Sequence, residues 1–104
     1  MITSTCESIP SRQISEHLGI VCGNTVRAKH VGRDIMAGLK TLVGGEVGGY
    51  TEMLQESRNQ ATDRMVAQAK AMGADAIVNV RFTTSQVAQG MSEMLAFGTA
   101  VKLA

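Results

Sequence analysis

The sequence predicts an α+β domain: a small β-α-α-β-β subunit, with an antiparallel or mixed sheet and its helices on one face. Three observations carry this. A 16-residue stretch near the N-terminus, "QISEHLGIVCGNTVRA", alternates apolar and polar residues as a strand does. Residues 50–73 place apolar or small side chains at helical spacing. Two further alternating runs, 74–87 and 91–104, are separated by only "AQG", which makes them a hairpin. Strands before and after a helical block imply one layered domain with a sheet and covering helices. At 104 residues the chain is a single domain, 1–104.

"SIPSRQ", residues 8–13, holds the only proline and reads as a turn, with room for a short extended piece before it. The strand over 13–28 is expected to set Ile14, Leu18, Ile20, Cys22 and Val26 on its apolar face. His17, Val21, Thr25 and Arg27 fall on the other. Such a strand runs to about 50 Å, longer than a compact domain of this size accommodates. It is therefore expected to bend at Gly19 or Gly23, or to reach a neighbouring subunit.

"GRDIMAGLKTLV", residues 32–43, has helical spacing at Ile35, Leu39, Leu42 and Val43, and two glycines end it. The helix over 50–73 carries a stripe of Tyr50, Met53, Leu54, Ser57, Ala61, Met65, Ala69 and Met72, with Gly73 as its C-terminal cap. Ser57 and Ala61 make the middle of that stripe small, which lets another backbone approach. In the hairpin, Ala76, Val78, Val80 and Phe82 are expected on one face of the first strand, opposite Asn79 and Arg81. The last strand sets Met91, Leu95, Phe97, Val101 and Leu103 on one face and Met94, Ala96 and Ala100 on the other, so it is apolar on both. A sheet of that kind needs cover on both sides.

Composition narrows function. A net charge of +1 gives no field for nucleic acid or an anionic membrane. Three aromatic residues leave little on which to stack bases. No run is long and apolar enough to span a bilayer, and "MITSTCESIPSR" lacks the pattern of a signal peptide. The expected setting is the cytoplasm, where both cysteines stay reduced. Seven methionines suit adaptable packing in cores and interfaces.

Candidate sites are few. "GGEVGGY", with Gly44, Gly45, Gly48, Gly49 and Tyr50, leads into a helix and is the candidate ligand-binding loop, since a helix N-terminus attracts anions. It lacks the Lys-Ser/Thr of a phosphate-cradling loop and the strand that precedes one. Its simpler reading is a sharp turn or a close subunit contact. The candidate metal ligands are Cys22 and His17, with Cys6 and His30 as further donors, but none forms a close-spaced pair. His17 and Cys22 differ by an odd number, so only a bulge near Gly19 sets them on one face. Cys22 reads as a small core residue, and Glu52 with Glu56 as a solvated helix face. No catalytic residue and no cofactor can be named.

Four segments, "LGIVCGNTV", "RDIMAGLKTLVGGEVGGYTEML", "AKAMGADAIVNVRF" and "FGTAVKL", fall in an order and spacing that resembles the YbjQ-like family of small bacterial and archaeal proteins, often labelled heavy-metal-binding. The likeness spans nearly the whole chain. It implies a compact α+β subunit that assembles into a ring, typically a homopentamer, with the glycine loop as a structural signature. It brings no catalytic residues and no Cys/His motif that maps onto Cys6, His17, Cys22 or His30. The expectation is a non-enzymatic homo-oligomer that binds a small ligand or ion between subunits. The alternatives are a heavy-metal-binding protein and an enzyme with a shared site.

Overall fold

The computed structural model describes residues 1–28, 48–88 and 91–104. The elements are β1 (Ile2–Thr3), β2 (Ile14–Ala28), α1 (Gly48–Ala71), β3 (Ala76–Ala88) and β4 (Met91–Leu103). They form an α+β layer: a four-stranded mixed sheet of order β1-β3-β4-β2 with α1 on one face. β1 runs parallel to β3; β4 is antiparallel to both β3 and β2. The helix expected over 32–43, and Gly44 and Gly45, lie outside the described residues.

α1 forms where the small-centred stripe predicted it. Ser57, Ala61, Met65 and Ala69 are buried, spaced at one helical face. Met72, at the end of the stripe, stands 39% exposed. Gly73 closes the helix with φ +79, a conformation other residues adopt at a cost. Its amide donates to Lys70, and the next amide, of Ala74, donates to Ala69, a C-terminal cap that uses carbonyls the helix leaves unpaired.

The helix crosses the sheet at Gly23. A Cβ there would run into the Ala61 carbonyl and the Met65 amide, and would lie 2.8 Å from the Arg64 Cβ. The small residues of α1 thus meet a glycine of β2, as their spacing suggested. Thr25 Oγ1 donates to the Ser57 carbonyl at the same crossing, 3.3 Å away and buried. The core between helix and sheet consists of Val21, Ala61, Met65, Ala69, Ile77, Val80, Met94, Ala96 and Ala100.

Register slips, two in β2 and two in β3, overturn the strand faces expected from simple alternation; those at Gly19 and Asn79 matter most. In β2 the register slips between His17 and Gly19, where Gly19 has φ +130. Leu18 packs against the core under the helix, and beyond the slip Val21, Gly23 and Thr25 point that way. Ile20, Cys22 and Val26, expected to be apolar-face residues, are exposed on the opposite side. The expected bend at Gly19 is therefore present as a bulge, while Gly23 serves close packing. In β3 the register slips between Val78 and Arg81, with Asn79 at φ +54. Ala76 and Val78 consequently fall on one face, and Ile77 and Val80 on the other.

Among the described residues, the second face of the sheet is covered only at one end. There the N-terminal segment folds back, and Ile9 packs with Ala76, Val78 and Val101, flanked by Ile14 and Leu103. Arg81 Nη1 holds this segment by donating to the Thr5 carbonyl at 2.8 Å. The molecule measures 53 × 28 × 16 Å, with a radius of gyration of 16.8 Å. A compact chain of this length has about 13 Å. The body is drawn out along its long strands instead of folding them short. No helix among the described residues is long and apolar enough to cross a membrane.

Candidate functional site

The feature that invites function is the open part of the second sheet face. Register places its side chains in rows across three strands. One row runs Cys22, Phe97, Arg81; the next Asn24, Leu95, Thr83; the next Val26, Glu93, Ser85. Ile20 precedes them on β2 beside Thr99 and is 81% exposed. Leu95, Phe97 and Thr99 are half-buried. Asn24 Nδ2 donates to Glu93 Oε2 at 2.9 Å, which ties the second row to the third. Arg81 Nη1 also donates to the Val80 carbonyl at 2.9 Å, so the guanidinium is anchored at the border between the covered and open parts of the face.

The bulge in β2 has a consequence for the metal candidates. His17 pairs with Val101 and Cys22 with Phe97, so the slip at Gly19 brings both onto this second face. Cys22 is an exposed thiol here, not the core residue its expected face made it. Yet the two positions stand four residues apart along β4, which is about 13 Å. Zinc bonds to cysteine and histidine are about 2.0–2.3 Å long. One ion cannot reach both side chains of one chain. No group of three or more His, Cys, Asp or Glu residues converges among the described residues. The described donors of a single chain do not fit a heavy-metal ion.

Catalytic chemistry fares likewise. Among the described residues Cys22 has no histidine within hydrogen-bond reach, since His17 is about 13 Å along the strand. Of the glycine loop, Gly48, Gly49 and Tyr50 form the first turn of α1. The roles of Asn24, Glu93 and Arg81 together on one face were not foreseen. Their meeting depends on the slips at Gly19 and Asn79, the second of which no local signal in β3 announces. Gln68 and Arg64 were also missed: Gln68 Oε1 accepts from the Cys22 amide at 2.7 Å, and Arg64 Nη1 donates to the Asn24 carbonyl. Both reach over the outer edge of β2.

The family model YbjQ_1, described as "Putative heavy-metal-binding", matches residues 1–104. The chain belongs to the YbjQ family. It is 60% identical over 103 residues to a UPF0145 protein of Archaeoglobus fulgidus, covering 99% of this chain and 95% of that one. It is 62% identical over 103 residues to a UPF0145 protein of Vibrio campbellii, covering 99% of each. Among solved structures, a protein of unknown function of the DUF74 family from Pediococcus pentosaceus superposes with a TM-score of 0.66, at 15% identity, over 100% of this chain and 98% of that one. That likeness speaks for the fold alone. Archaeal and bacterial YbjQ relatives thus share this chain's full length, under names that state no activity.

Proposed function

We propose that this YbjQ protein is a non-enzymatic, self-assembling subunit that closes into a ring and holds a small ligand or ion between subunits. The carrying observation is the second sheet face. Among the described residues it is covered only where Ile9 packs, while Ile20, at 81% exposure, and the half-buried Leu95 and Phe97 lie beyond that cover. An apolar face of this kind in a sheet of long strands calls for a partner. The near-neutral chain offers little repulsion to its own copies. Five subunits follow from the family resemblance. The cytoplasmic setting goes with this reading, because Cys6 and Cys22 are both free thiols.

The Asn24–Glu93 pair, the Cys22 thiol and the Arg81 guanidinium give the face polar groups among apolar ones, the mixture that small-molecule and ion sites use. Sedimentation at micromolar concentration with native mass spectrometry tests the reading. A ring with a retained small molecule or ion is expected. A well-folded monomer overturns it.

The heavy-metal reading keeps one supporting observation: Cys22 is exposed on the face that assembly would cover. An ion would then be shared between copies, because the described residues of one chain supply no two close soft donors.

A further inference from the structure

We propose that Arg81 binds an oxyanion, the carboxylate or phosphate group of a small organic molecule, on the free edge of its guanidinium. This rests on the small-ligand reading and names the chemical group that the ligand presents. A guanidinium carries five N–H donors in a planar fork. Two of them belong to Nη1, and that nitrogen makes two bonds inside the chain. One goes to the Thr5 carbonyl at 2.8 Å and one to the Val80 carbonyl at 2.9 Å. The donors on Nε and Nη2 have no acceptor among the described residues. They form the side edge of the fork, whose two parallel N–H groups match the oxygens of a carboxylate or a phosphate.

Pinning the N-terminal segment does not use all that this residue offers. A lysine ammonium serves the same two carbonyls; only an arginine leaves a second, planar edge over. Both carbonyls are neutral, so they fix the guanidinium without cancelling its charge. No carboxylate pairs with it among the described residues. Glu93 lies on the same sheet face but stands about 13 Å along β4 from Phe97, the residue opposite Arg81, and it accepts from Asn24. A side chain already held by two bonds loses little freedom when it binds, which favours affinity.

The surroundings suit an organic anion. Arg81 is exposed, and so is Thr83, the next residue on the same face of β3, which brings a hydroxyl about 7 Å along the strand. Phe97, directly across on β4 and half-buried, gives an apolar surface for the body of the molecule. The register slip after Val78 creates this arrangement, because it sets Arg81 opposite Phe97.

The test titrates the native protein with benzoate and, separately, with phenyl phosphate. Chloride holds the ionic strength constant, and NMR follows the Nε–Hε signals of Arg81 and Arg58. Arg58, exposed on α1, is the control. We expect a saturable shift at Arg81 with at least one probe and none at Arg58; the tighter probe tells a carboxylate from a phosphate. Arg81→Lys keeps the charge and should weaken binding about tenfold, as the loss of one charge-assisted hydrogen bond does. Ile9→Ala loosens the same segment but keeps the guanidinium, and should weaken binding less. The proposal is overturned by no saturable shift at Arg81, by equal shifts at Arg81 and Arg58, or by a loss in Ile9→Ala as large as in Arg81→Lys. If circular dichroism shows that Arg81→Lys does not fold, the native titration decides. Sedimentation of the same samples separates this site from the ring. A monomer that saturates at Arg81 removes the ring and leaves the site, whereas a ring without a response at Arg81 removes the site alone.

Discussion

A β-carbon at position 23 has nowhere to go. The atoms in its way belong to the backbone of α1, at Ala61 and Met65, and a helix backbone cannot rotate aside as a side chain does. Gly23→Ala must push the helix off the sheet. Overpacking of this sort costs typically 1–3 kcal/mol, and with backbone as the obstacle we expect about 3. That lowers Tm by at least about 12 °C in a domain of this size, readable by calorimetry. Gly73 is the useful contrast. A Cβ there meets nothing closer than 3.9 Å, from Lys102, so Gly73→Ala is charged only with its φ of +79. That conformation costs about 1–2 kcal/mol, and the loss should be about half that of Gly23→Ala. Equal losses at the two positions would refute the close crossing.

At the scale of elements, α1 was the most legible part of the chain. Its small-centred stripe follows a 3.6-residue period that nothing interrupts, and it ends at a glycine cap. The strands were found where the alternating pattern put them, but their faces were not. The period of a strand is two, so one extra residue inverts every position after it. Gly19 gives a visible hint of a bulge; Asn79 gives almost none. The candidate site inherits that difficulty. Cys22 reaches the open face, and Ala76 and Val78 leave Val80, only through these slips. The hairpin's two apolar faces were legible because β4 carries no bulge between Met94 and Val101 that would scramble them. Met65 tests the packing that results. It is fully buried between the helix and Val21 of β2's core face. Met65→Ala should cost about 3 kcal/mol, within the 2–5 typical of such a deletion, seen as a lower urea midpoint with an unchanged slope. A loss below about 1 kcal/mol would mean that α1 does not lie over this sheet.

At the scale of the molecule, the YbjQ label and the geometry meet over metal. Two donors on one face raise the possibility of a site, and about 13 Å between them removes it within a chain. Cys22 alone is a single soft ligand, and structural zinc takes four. In a ring, however, every subunit contributes its own Cys22, and rotation about the axis can bring copies together where the chain itself cannot. An ion held that way belongs to several chains at once. The expected stoichiometry on the assembled protein is therefore well below one zinc or copper per chain, by elemental analysis after dialysis. Cys22→Ser should remove what is bound, and His17→Ala should leave it, because His17 sits four register positions away. If copies assemble in this way, dissociating them should release the metal, since the described residues of one chain form no site of their own. About one metal per chain, lost in either variant, would require His17 and Cys22 to share an ion, and so a different β2 register at Gly19.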